Sequence, residues 1–198
     1  MERGTKLESF SKRDIELLSQ AKIRQNGTIL TNDPSMTAWG WAIIDYMGNI
    51  LSTGCIKTKT EGKKRRIRKS DETCQRISEI NNILIDLIKK NNVKYILTEA
   101  PHGSQNASAA VMIGVVAAIT QTISDCLQIG IEYYSEGDSK KCLLNKIAAT
   151  KQETINAIGK IYKVPWTGIK WRDEAVADAI SVYHVASKQS STLKLLKS

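Results

Sequence analysis

The sequence predicts an α/β protein: a mixed five-stranded sheet, its first three strands antiparallel, with helices on both faces. Three observations carry that prediction. Three β-type runs joined by short turns come early in the chain, and connections that short force antiparallel pairing. Behind them, stretches with helical apolar spacing alternate with two more β-type runs, the order expected of strands added through helical crossovers. And 198 residues at 41 % hydrophobic content can build one core but are cramped for two. The expected organisation is a helical extension at 1–26, one domain at 27–188 and a flexible tail at 189–198.

Each element has a local reason. Ser11 is a suitable N-cap for a helix to Ala21, with Ile15, Leu17 and Leu18 as its apolar edge. Thr28–Asn32 reads as a strand broken by Pro34-Ser35. Ala38–Ile44 is the second strand, Met47–Asn49 a turn, and Ile50–Ile56 the third strand. Ile77, Ile80, Ile83, Leu84 and Leu87 give the segment Asp71–Lys90 a helical rhythm, and Asn91-Asn92 ends it. Val93–Glu99 is a buried fourth strand. A helix rich in small residues runs from about Ala107 to Leu127, followed by a fifth strand at Ile129–Tyr134. Ser139–Leu144, Lys151–Tyr162 and Glu174–Ser187 read as helices, and the polar tail from Gln189 as frayed.

Composition narrows the function classes. Lys and Arg number 29 against 20 Asp and Glu, a net charge of +9 that points to a polyanionic partner, nucleic acid first. The longest apolar run, Ala107–Ile119, is shorter than a bilayer span, so no membrane partner is expected. Met1–Phe10 is polar, without a secretory leader, and a cytoplasmic, nucleoid-associated protein is expected. Cys55, Cys74, Cys126 and Cys142 have no metal-binding spacing and read as reduced core thiols.

The candidate chemistry lies in carboxylates at element ends. Asp33 closes the first strand, Glu99 the fourth, and Asp178 lies in the last helix. An acid at the end of an apolar strand is costly unless something neutralises it. If strands one and four are neighbours, their acids converge at one sheet edge. Gathered carboxylates repel one another and favour a cation. Mg²⁺ or Mn²⁺, two per site, takes such oxygen ligands and hydrolyses phosphodiesters without histidine or a P-loop, and the chain is poor in the first and lacks the second. Glu174 stands four residues before Asp178, about 40° away on the helical wheel, so both share a face. Asp173, just before the helix, suits an N-cap as well as it suits a metal. Each acid also has an ordinary reading: a turn aspartate at Asp33, a lysine-paired acid at Glu99, a first-turn acid at Glu174.

Basic and polar residues surround these acids in sequence. Lys57, Lys59, Lys63, Lys64, Arg65, Arg66, Arg68 and Lys69 form a run interrupted by one acid, Glu61, suited to clamping phosphate backbones. The loop after Glu99 carries His102, Ser104, Gln105 and Asn106, small and polar enough to approach a nucleic-acid backbone. Trp39, Trp41, Trp166 and Trp171 read as core or hairpin fillers rather than base-stacking platforms.

The strand order is that of the RNase H-like fold, and over about residues 28–187 the motifs resemble, in order, those of the RuvC family of Holliday-junction resolvases. Ile29–Gly40 resembles the first-strand motif, with Asp-Pro and then Thr37-Ala-Trp-Gly40. Thr53–Lys59 is similar to the third strand and its exit. Leu97-Thr-Glu99 with Asn106–Ala110 resembles the second acidic motif, and Ala177-Asp178-Ala-Ile the last. The resemblance implies that Asp33, Glu99 and Asp178 are metal-binding catalytic carboxylates. It also implies that Lys140 and Lys151, at the family's separation, contact phosphate. Further implications are a homodimer on a four-way junction, nicking the two symmetric strands to leave 5′-phosphate and 3′-hydroxyl ends. The family's fourth acid or histidine falls at Ala175, a departure for which Glu174 is the first substitute and Asp173 the second. Three rivals follow: a related nuclease acting on flaps or other branched substrates, a junction-binding protein with a decayed site, and an actin-like nucleotide-binding protein, for which the chain is short.

Overall fold

In the computed structural model, residues 27–60 and 68–197 are described. The helix expected between Ser11 and Ala21, and Lys63, Lys64, Arg65 and Arg66 of the basic run, lie outside the described residues.

The described chain runs β1 (Thr28–Asp33), β2 (Ala38–Ile44), β3 (Ile50–Lys57), α1 (Lys69–Lys90), β4 (Val93–Glu99), α2 (Ala107–Leu127), β5 (Gly130–Tyr134), α3 (Glu136–Leu144), α4 (Lys151–Ile161), α5 (Lys170–Gln189) and α6 (Ser191–Lys197). The sheet order is β3-β2-β1-β4-β5. β1–β2 and β2–β3 are antiparallel, β1–β4 and β4–β5 parallel. This is the fold class read from the sequence. Strand alternation divides the core. Leu30, Trp39 and Ile43 join Ile80, Leu84, Ile119 and Ile123 of α1 and α2 on one face. Ile29, Ala42, Ile44 and Leu97 join Val176, Ile180 and Tyr183 of α5 on the other.

α5 is central to everything that follows. From Ala175 to Ala186 every residue is buried, so it lies within the protein rather than on it. Gly40 makes the close approach possible: a Cβ there would stand 2.0 Å from the Ala175 carbonyl oxygen. Gly40 pairs with Asp33 in the β1–β2 register, so the same contact that seats α5 brings it beside the end of β1. The Thr31 hydroxyl, buried, donates to the Ala179 carbonyl at 2.5 Å and ties β1 to the same helix.

Several expectations are corrected. α3 begins at Glu136, not Ser139, because Ser135 caps it by accepting from the Asp138 N–H. α5 begins at Lys170, not Glu174. The tail is not frayed over Ser191–Lys197: it forms α6, with Leu193 1 % exposed against the α5 side of the core. The cysteines are free, but Cys74 and Cys126 are exposed and none is fully buried. α2 spans Ala107–Leu127 as expected, but its apolar character extends past Ile119; among the described residues it is the one helix long and apolar enough to cross a membrane, and most of it is not buried. Trp39 is a core residue and Trp41 and Trp166 pack, partly buried, against the core, whereas Trp171 is exposed.

Candidate active site

Parallel pairing of β1 with β4 runs to Asn32 and Thr98. Asp33 and Glu99 are the next residues on the two strands, so both emerge at one sheet edge. Asp178, 4 % exposed, reaches the same edge from α5. Asp33 and Glu99 line a small pocket of about 50 Å³ with Pro34, Ala100, His102 and Val116.

The electrostatics are those of an under-neutralised cluster. Burial first, then the charges of Glu99 and Asp178, push the Asp33 carboxyl well above the ordinary range. Burial, Asp178 and Glu136 push Glu99 up to about 7. Burial raises Asp178 too, although Lys151 opposes it. Lys151 opens α4, where a capping box between Thr150 and Glu153 fixes the helix start. Its ammonium is hydrogen-bonded and ion-paired to the Asp178 carboxylate. Burial draws the Lys151 ammonium down, but Asp178, Asp33 and Glu136 together prevail and the net shift is upward.

The sequence-predicted residues therefore separate. Asp33, Glu99, Asp178 and Lys151 converge. Lys140 lies close enough to favour ionised Glu99 and Asp178, while donating to Glu136 at 2.5 Å. Asp173 is committed elsewhere: it accepts from the Thr167 N–H and hydroxyl and from the Gly168 N–H at 3.0, 2.8 and 2.8 Å. It is not the N-cap, since the helix starts three residues earlier and its cap is Ile169. Glu174 is not among the charges acting most strongly on Asp33, Glu99 or Asp178. His102, Ser104, Gln105 and Asn106 are exposed, and Asn106 caps α2 through the Ala109 N–H. Lys57 lies over the Trp171 ring at 3.8 Å, Arg68 pairs with Asp71 at 2.9 Å, and Lys59 and Lys69 are exposed.

Three contributors escaped the sequence reading. Glu136 is a fourth negative charge beside the acids, signalled only by the Ser135-x-x-Asp138 helix start. Arg76 donates to the Met36 carbonyl and the Thr58 hydroxyl, both at 2.7 Å, and Thr58 also donates to Met36. These bonds root the basic segment on the loop that follows Asp33. Cys55 pairs with Gly40 across β2–β3; burial and the Asp33 charge push its thiol up to about 11, which keeps it protonated.

The donor set consists of partly buried carboxylates short of positive charge, which fits a hard, oxygen-seeking divalent cation. Among the described residues no three ligand-type side chains close around one point as a ready-made cage.

No family model matches the chain. Curated relatives do. The crossover junction endodeoxyribonuclease RuvC of Parvibaculum lavamentivorans is 24 % identical over 155 residues, 78 % of this chain and 83 % of the relative. That of Sinorhizobium fredii is 22 % identical over 167 residues, 84 % and 94 % of the two. Among solved structures, Thermus thermophilus RuvC in complex with Holliday junction substrate superimposes with a TM-score of 0.64 at 14 % identity, covering 81 % of this chain and 93 % of that one. The yeast mitochondrial Holliday junction resolvase superimposes with a TM-score of 0.60 at 12 % identity, covering 96 % and 90 %. The chain is a low-identity homologue of the RuvC-type resolvases, and it shares the RuvC fold. These two RuvC relatives are matched over most of their length.

Proposed function

We propose that this protein is a metal-dependent endonuclease that resolves four-way DNA junctions, acting as a homodimer in the cytoplasm on nucleoid DNA, with residues 27–188 as its nuclease domain. The observation that carries the proposal is the convergence of Asp33, Glu99 and Asp178, from three separate elements, at one edge with too little positive charge to neutralise them. The RuvC homology supports the choice of branched DNA over other phosphodiesters.

Asp33, Glu99 and Asp178 would hold two Mg²⁺ or Mn²⁺ ions. When bound, these would supply Lewis-acid activation of a water nucleophile and neutralise charge on the phosphodiester. The chain's own residues do the positioning. Lys151, held on Asp178, and Lys140 offer ammonium groups to phosphate oxygens beside the reacting phosphorus. Arg76 ties Thr58, within the basic run, to Met36 on the loop after Asp33, so phosphates held by Lys57 and Lys59 would lie on the strand exit beside that loop. The exposed loop carrying His102, Ser104 and Gln105 follows Glu99, and His102 lines the pocket.

A second copy has a suitable face to meet. α2 leaves most of its apolar length uncovered, and beside it Ile85, Val115, Ala118, Ile123 and Leu127 line a mostly apolar groove of about 370 Å³. A dimer across this face would present two sites to the two symmetric strands of a junction.

The test is cleavage of a labelled immobile four-way junction, a flap and a linear duplex, with and without Mg²⁺, beside Asp33→Asn. Paired symmetric nicks on the junction alone, absent in Asp33→Asn, are expected. The open arrangement of the acids and the alanine at 175 favour one other reading, a junction binder with a decayed site. Tight junction binding with no cutting in Mg²⁺ or Mn²⁺ would establish that reading instead.

A further inference from the structure

We infer that Glu136, at the start of α3, is the fourth carboxylate of the cation site, taking the place of an acid on the last helix. The assignment rests on the two-metal reading proposed above and deepens it.

The last helix has no acid free for the role. Ala175 is 6 % exposed and packed against Gly40. Asp173 spends both carboxylate oxygens on three donors of the 167–168 loop. Glu174 is partly buried, yet its charge is not among the main ones felt by the three acids.

Glu136 arrives from the opposite side. Glu99 pairs with Tyr134 at the end of β5, and the Ala100 N–H extends that pairing by donating to the Tyr134 carbonyl at 2.8 Å. Ser135 then caps α3, which makes Glu136 the first helical residue, two positions past the partner of Glu99. α3 packs directly on α5, the helix that carries Asp178. Glu136 is thus bracketed by the elements bearing two of the three acids. Its negative charge acts on Asp33, Glu99 and Asp178 alike. Its side chain is 41 % exposed and keeps an open side, while Lys140, 14 % exposed, holds it at 2.5 Å. Four carboxylates then face two ammonium groups, Lys140 and Lys151. That is the surplus of negative charge and the oxygen-only donor set that a hard divalent ion requires.

Mn²⁺ binding to the full-length protein without DNA, followed by electron paramagnetic resonance at neutral pH, tests the assignment. Glu136→Gln should weaken Mn²⁺ binding about tenfold or more, and Glu174→Gln less than twofold. Lys140→Met removes a competing cation and should tighten binding. Circular dichroism melts check that each variant is folded. Wild-type uptake that Asp33→Asn abolishes and Glu136→Gln leaves unchanged overturns the Glu136 assignment alone. So does a loss in Glu174→Gln that matches or exceeds that of Glu136→Gln. A loss in Lys140→Met equal to that in Glu136→Gln overturns it as well, because Glu136 would then act only by positioning the lysine. Uptake absent from the wild type, or identical in Asp33→Asn, overturns the two-metal reading and this assignment with it.

Discussion

A glutamate on β5 and the three acids gathered from β1, β4 and α5 behave in opposite ways. Glu132, on β5, accepts from the Tyr95 hydroxyl at 2.8 Å, the Tyr134 hydroxyl at 2.5 Å and the Ser190 hydroxyl at 2.9 Å. Burial opposes its charge, but these donors prevail and hold it below the ordinary glutamate range. It fastens β4 and β5 to the junction of α5 and α6. Asp33, Glu99 and Asp178 have carboxylate neighbours and, among the described residues, the one ion-paired partner Lys151, on Asp178, and all three are driven upward. The acid side chain is common to both; the donors differ. A carboxylate surrounded by hydroxyls is a fastening, and carboxylates surrounded by one another are a site awaiting positive charge.

The largest expected effect breaks the comparison open. Asp33→Asn, Glu99→Gln or Asp178→Asn should lower junction cleavage about a hundredfold or more while leaving the protein folded, measured by single-turnover cleavage on a labelled junction. Glu132→Ala should do the reverse. With its hydroxyl donors left unpaired, the loss is about 2–3 kcal/mol, or about 4–10 °C in melting temperature. The molecules that remain folded should cut at near wild-type rates. A Glu132→Ala protein that melts normally but does not cut would erase the distinction.

pH sharpens it, because the two groups carry opposite signs. Where a folded-state pKa is raised, the folded protein binds more protons than the unfolded chain, and stability falls as pH rises between the two values. For Glu99 that window runs from about 4.5 to about 7. Metal-free protein should lose on the order of 1–3 kcal/mol across it, and Glu99→Gln should flatten the loss. Glu132 has a lowered folded value, so its contribution is present above the ordinary glutamate range and disappears as pH falls through the folded value. Thermal melts in chelator from strongly acidic to neutral pH, for wild type, Glu99→Gln and Glu132→Ala, separate the two: the Glu132 effect lies below about 4.5, the Glu99 effect in the window above it. A wild-type curve that rises steadily through this window would contradict the repulsive cluster.

What the sequence made legible follows the same physics. β1, β2 and β4 are legible almost to the residue because apolar runs end at Asp33-Pro34, Tyr46–Gly48 and Asn91-Asn92. With strands one and four adjacent, Asp33 and Glu99 had to meet, and the third acid, Asp178, is legible from its place in the last helix and from the RuvC resemblance. Helix starts were less legible, because they depend on which side chain caps them. Placing α3 at Ser139 instead of Glu136 left Glu136 in an anonymous loop, and placing α5 at Glu174 made Asp173 look like a cap. The role of Gly40 depends on a helix more than a hundred residues away pressing its backbone on β2, which no local pattern encodes. Leu193 likewise stood in a polar tail, and only the tertiary pocket beneath it makes the tail a helix.

Asp173 and Asp178 extend the comparison within one helix, and give the smallest effect. Asp173 resembles Glu132 in being satisfied by three donors, here in the turn that leads into α5, and it is more deeply buried. Asp178, buried in the same helix, faces acids and a lysine. Asp173→Ala removes acceptors from two backbone N–H groups and a hydroxyl where the chain enters the helix, at a cost of about 1–2 kcal/mol. The turn is partly open to water, which can replace some of what is lost. Mn²⁺ affinity should stay within about twofold of wild type, since α5 remains seated through Gly40 and Thr31 rather than through its first turn. A chemical-denaturation curve and a Mn²⁺ titration on the same preparation measure both quantities. If Asp173→Ala instead weakens Mn²⁺ as strongly as Asp178→Asn does, then the hydrogen bonds of the 167–168 turn do not exhaust Asp173, and the last helix supplies its own second acid after all.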